Sequence, residues 1–136
     1  MVNSVSYDTA VYAANTHEIM ELGRSGNIID INFNYMIVTA NFDLATLMDL
    51  WNNSVGQNMA GVPKYARKTK RELFDYALLS GKLITSLDDV LLMYGIDESY
   101  LNDGKILGMW NLETNSIQFY DSTKIDFDST AGCPQN

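Results

Sequence analysis

Two short stretches of this sequence bring together residue types that could do chemistry. HEIME sets His17 beside Glu18, with Glu21 one helical turn further on, and MDLWNNSVGQNMAG threads Asp49, Asn52, Asn53 and Gln57 between apolar residues. An imidazole can act as a general base near neutral pH, a carboxylate can orient it, and carboxamides can hold a polar substrate. Taken as one site, the stretches point to a hydrolase-like pocket between two helices. His17, Glu18 and Asp49 would form its catalytic group, with His17 as base, and Asn52, Asn53 and Gln57 would bind substrate. Asp and Asn are also poor residues for a helix interior, because their short side chains compete for backbone hydrogen bonds. Asp49, Asn52 and Asn53 together cost about 1.5 kcal/mol relative to good helix formers. A buried polar network, a ligand or plain solvation must account for them.

HEIME also resembles the opening of the zinc-protease helix, in which two His residues one turn apart hold the metal. Here Glu21 stands in the second place, His17 is the only His and Cys133 the only Cys, so no metal site is expected. An i, i+4 pair between His17 and Glu21 is the simpler explanation. A third stretch, PKYARKTKRELF, carries five of the nine basic residues, namely Lys64, Arg67, Lys68, Lys70 and Arg71. Arg67, Lys68, Lys70 and Arg71 gather at a helix start, where free backbone N–H groups and added positive charge make a workable anion pocket. A solvated loop that balances acids elsewhere explains the same charges. No Walker-type loop, GxSxG elbow or Cys–His pair occurs, and no cofactor is implied.

These side chains need elements to position them. Residues 8–23 form a helix by pattern, capped by Asp8 and ended by RSGN. In NIIDINFNYMIVTANF the alternation of IDINFNY suits a strand and YMIVTA suits a buried helix; helix is the expectation for residues 28–41. Over residues 44–60, Leu44, Leu47, Met48, Trp51, Val55 and Met59 share one helical face, with Asp43 as cap and Gly61 as stop. Thr69 to Glu72 match a capping box, followed by an apolar face of Leu73, Phe74, Ala77 and Leu78 that ends at Gly81. Ser86 to Asp89 open a short helix, VLLMY, stopped by Gly95. KILGMWN and SIQFYD, separated by LETN, make a β-hairpin after the Asn102-Asp103-Gly104 turn. The expected fold is mainly α (α+β), a small helical domain of four to five helices with a C-terminal β-hairpin. Residues 1–121 are expected to form one globular domain and 122–136 a polar, flexible tail.

Composition bounds the function. At 136 residues and 46% apolar, the chain suits one domain with a real core. Its apolar runs fall short of the roughly 18 residues of a membrane span. The opening MVNSVSYDTA has neither the basic start nor the apolar stretch of a signal peptide. The expectation is therefore a cytoplasmic chain, or an extracytoplasmic one whose signal peptide has been removed. The net charge of −8 is unevenly placed: residues 1–71 balance six acids with six bases, whereas residues 72–136 hold eleven acids and three bases. Such a surface argues against nucleic-acid backbone binding and suits a basic protein partner.

His17-Glu18 and Met48-Asp49-Leu50-Trp51-Asn52-Asn53-Ser54-Val55-Gly56 together resemble an uncharacterised bacterial domain family. That family is marked by a His-Glu pair and a Met-Asp-Leu-x-Asn-Asn-x-x-Gly-Arg helix. A further helix follows, ending in Gly before apolar residues, as Gly81-Lys82-Leu83-Ile84 does here. The resemblance covers roughly residues 10–86 and implies a small bacterial domain of a kind that occurs in secreted proteins, some beside toxin-like modules. Gln57 replaces the family's Arg, and the family's second, upstream His is absent. Two functions are thus expected: a hydrolase-like or degenerate hydrolase-like module, or an acidic, non-enzymatic interaction module of inhibitor or immunity type.

Overall fold

The structure, a computed structural model, describes residues 15–121. The Asp8 cap, Cys133 and the 122–136 tail lie outside the described residues. The mainly helical expectation is overturned: among the described residues four α-helices pack with a four-stranded antiparallel sheet, an α+β fold. Helix α1 occupies residues 15–24 and leads into strands β1 (Ile28–Asn32) and β2 (Ile37–Asp43). Helices α2 (Leu44–Ala60), α3 (Lys70–Leu79) and α4 (Val90–Tyr94) come next, and strands β3 (Lys105–Asn111) and β4 (Ser116–Tyr120) form the C-terminal hairpin. The sheet order is β1-β2-β3-β4, so all three later helices lie within the connection between two neighbouring strands.

Residues 28–41, expected as helix, are a hairpin, and local chemistry explains why. Asn32 Oδ1 accepts the N–H groups of Asn34 and Tyr35 at 3.0 and 3.2 Å, and Met36 follows at φ 54°. This turn and the Asp43 cap leave β2 only seven residues, short for a helix, and it opens with the β-branched run Ile37, Val38, Thr39. Along it Val38, Ala40 and Phe42 are buried on one face and alternate with Thr39, Asn41 and Asp43 on the other, a period of two that the apolar run from Tyr35 to Val38 masks at its start.

The β2–β3 register stacks Val38 on Trp110, Ala40 on Gly108 and Phe42 on Ile106. This sheet face closes against Leu22 of α1, Leu47 and Leu50 of α2, Ile84, and Val90 of α4 to form the core. Helix α2 starts directly from β2, where Asp43 Oδ1 accepts Thr46 N–H at 2.7 Å. Its inner face is rotated from the expected one: Leu50 is buried, whereas Trp51 and Val55 are only partly covered.

The capping box of α3 forms, with Glu72 N–H bonded to Thr69 Oγ1 and Thr69 N–H to Glu72 Oε1 at 3.1 and 3.2 Å. The apolar face expected for this helix is mostly outside. Only Ala77 is buried, while Phe74 and Leu78 are exposed. Gly95, at φ 71°, ends α4 in the left-handed conformation that a side chain would disfavour.

Gly108 marks the tightest point of the sheet. A Cβ there would sit 3.1 Å from Gln118 O and 3.2 Å from the fully buried Phe42 ring. Neither the paired β4 backbone nor the enclosed ring has room to retreat. Gly108→Ala is therefore expected to destabilise the fold by about 1–3 kcal/mol in urea denaturation; an unchanged midpoint would contradict this packing.

Candidate functional site

Helices α1 and α2 bring His17, Glu18 and Asp49 into one neighbourhood. Glu18 is 5% exposed, and its pKa is raised to about 7. Burial is the main cause, Asp49 adds to it, His17 opposes it, and Glu21 and Asp43 push further in the same direction. Asp49 is also raised, by burial first and then by Asp43, with His17 again opposing. The result is a knot of carboxylates at the junction of α1, α2 and the end of β2, one of which holds its proton near neutrality. Such perturbation is what a catalytic acid or base requires, though buried structural acids show it too.

The rest of the expected catalytic geometry is missing. His17 is exposed, and among the described residues no hydrogen bond or ion pair joins it to Asp49. A base must be held within about 3 Å of its orienting partner to be set for proton transfer. Nor does His17 pair with Glu21, whose carboxylate instead takes the Arg24 guanidinium one turn on. Among the described residues, no three His, Cys, Asp or Glu side chains are grouped to hold a metal ion.

The three amides expected to bind substrate diverge to three sides of α2. Asn52 is committed to the backbone of Ile84. Its Nδ2 donates to Ile84 O at 2.9 Å and its Oδ1 accepts Ile84 N–H at 2.8 Å, as a paired strand would. Gln57 turns to the β3–β4 hairpin, where its Oε1 accepts from Asn115 Nδ2 at 3.0 Å. The same Nδ2 donates to Ser54 Oγ at 2.8 Å, and Asn115 Oδ1 takes the indole N–H of the fully buried Trp110 at 2.9 Å. Asn53 is half-buried and lines a groove of about 380 Å³ between α2 and α3, with Lys70 at its edge.

Arg67, Lys68, Lys70 and Arg71 are all exposed. Lys68 reaches Glu72 at 3.8 Å, and the capping box already serves two N–H groups at the start of α3, so little of an anion pocket remains.

Several structural partners were not recognisable from the sequence: Asn115, Ser54, Tyr94 and the Ile84 backbone. Tyr94 donates its hydroxyl to Leu47 O at 2.6 Å, and its pKa is pushed far up by burial. Its ring stands edge-on to Trp51 at 4.9 Å and to Phe119 at 5.5 Å. The signal available was a string of aromatic residues without periodicity, which names no partner.

The state of Glu18 has a consequence for stability. A carboxyl whose folded pKa lies above its unfolded value of 4.5 favours folding below that value, and the contribution is lost as pH rises through about 7. Glu18→Gln removes this dependence. Its stability should match the wild type near pH 4 and exceed it by about 1–3 kcal/mol near pH 8, after allowance for partial solvation. Denaturation curves at the two pH values measure the difference, and a gap that fails to widen with pH would contradict the assignment.

No protein-family model, curated protein or solved structure matches the chain, so the case for its function rests on its own residues.

Proposed function

We propose that this chain is a non-enzymatic binding module that presents an acidic surface to a basic protein. The observation that carries this reading is the stretch from Ser86 to Gly104, where Asp88, Asp89, Asp97, Glu98 and Asp103 are all exposed. Local structure accounts for some of these acids. Asp97 caps a short 3-10 turn by accepting Ser99 N–H at 2.8 Å, and Asp103 sits in a tight turn at φ 54°. Asp88, Asp89 and Glu98 make no ion pair among the described residues, although they raise the surface charge of a chain already at −8. Leu92 follows Asp89 by one turn and is 79% exposed, with Leu87 exposed beside them. An apolar side chain among uncompensated acids is the arrangement of an interface anchor within a charged rim.

Such a surface favours fast association with a cationic partner, and it weakens as salt screens the charges. The hydrolase-like reading keeps one supporting observation, the near-neutral Glu18, but it lacks a positioned base and its three amides diverge.

The test is an association measurement on the folded chain against basic proteins captured from its native host. Retention should fall by about tenfold or more between 0.05 and 0.5 M salt. Asp88→Asn, Asp89→Asn and Glu98→Gln together should reduce it similarly at low salt, and Leu92→Ala should speed dissociation. Binding that ignores both salt and the triple substitution, or a captured partner that is itself acidic, would overturn this reading.

A further inference from the structure

We propose that a second surface, the groove between α2 and residues 62–65, binds an amphipathic organic carboxylate. Its charged head would lie between the Lys64 and Lys82 ammonium groups and its aliphatic body against Trp51, Met59 and Met93. The groove encloses about 470 Å³, within the range of small-ligand sites. Val55 and Val62 complete an apolar wall, and Asn58 adds one amide.

Both lysines line the rim. The indole N–H of Trp51 donates to Lys82 O at 2.7 Å, which fixes the backbone of Lys82 beside the ring and leaves that ring's remaining surface apolar. Lys64 Nζ stands 5.0 Å from the centre of the Tyr65 ring, a cation–π contact that keeps it over the same groove. The Tyr65 phenol is pulled below its ordinary pKa first by its hydrogen bond with Tyr76 and then by Lys64 and Lys82, so one hydroxyl feels both ammonium groups.

Neither lysine has an acidic partner among the described residues, and that is informative. The chain holds 17 acids against nine bases, yet neither Lys64 nor Lys82 makes an ion pair among the described residues. Lys105, by contrast, is spent on Asn27 at 2.8 Å. Two uncompensated cations converging on an apolar wall select for a ligand with one anionic end and a hydrocarbon body. A bare anion would leave the wall wet, and a neutral hydrocarbon would leave the cations unpaired. This site shares Met93 with the acidic stretch but uses none of its acids.

Decanoate is the probe, titrated into the 136-residue chain by calorimetry with tryptophan emission recorded in parallel. Trp51 borders the groove and Trp110 is fully buried, so a spectral change reports Trp51. Decanoate should bind, and decyltrimethylammonium and acetate should not. Lys64→Gln with Lys82→Gln should weaken decanoate by about tenfold, the scale of two partly solvated charge contacts. Lys70→Gln, beside the neighbouring groove, should leave binding unchanged. Both lysine side chains of the double variant are solvent-facing, and circular dichroism checks that it folds. No decanoate binding, equal binding of decyltrimethylammonium, an unaffected double variant, or loss of binding in Lys70→Gln would each overturn the proposal.

Discussion

The two hydrogen bonds between the Asn52 carboxamide and the Ile84 backbone hold the connection between β2 and β3 to α2. Ile84 is buried in the core, so its N–H and C=O are out of reach of water and must find partners inside the protein. The residues around it form no strand and offer it no ladder. One side chain supplies both a donor and an acceptor in the spacing a neighbouring strand would give. Trp51 and Tyr94 extend the attachment, the first through Lys82 O and the second through Leu47 O. With the polar groups of this irregular segment satisfied, Ile84 and Val90 can enter the core.

Seen from α2, several of the polar residues that suggested a pocket are the helix's means of attachment. Asn52 holds the segment before α4, and Ser54 and Gln57 hold the β3–β4 turn through Asn115. A helix that contacts structure on several sides needs polar groups on several sides, because each irregular neighbour brings unpaired backbone atoms. The helix-propensity cost of Asn52 is offset by bonds that only a short carboxamide can reach. Asn53 makes no hydrogen bond among the described residues and faces the α2–α3 groove, which separates it functionally from its neighbour.

Much of this architecture could be read from local pattern, where the determinants are local. The Asp43 cap, the Thr69–Glu72 capping box, the Gly95 stop and the C-terminal hairpin each depend on residues a few positions apart. What could not be read depends on residues far apart in sequence. Strand β2 looked like a buried helix because the apolar run at its start hides the alternation that follows, and its partner β3 lies about 70 residues away. The α3 face looked like core because apolar spacing carries no information about whether a partner is present; Phe74 and Leu78 have the right period but face outward. The site followed the same division. His17, Glu18 and Asp49 lie on adjoining helices, close enough for each charge to bear on the next. The partners of Asn52 and Gln57, the Ile84 backbone and Asn115, could not be read because they are about 30 and 60 residues away.

The central claim is that Asn52 is a structural fastening rather than a substrate contact, and paired denaturation of Asn52→Ala and Asn53→Ala tests it most directly. Removing Asn52 strands a buried N–H and a buried C=O, and should cost about 2–4 kcal/mol. Removing Asn53 trades a poor helix former for the best one and should leave stability within about 0.5 kcal/mol of wild type or slightly above it. A neutral Asn52→Ala variant, or one less damaging than Asn53→Ala, would contradict the account.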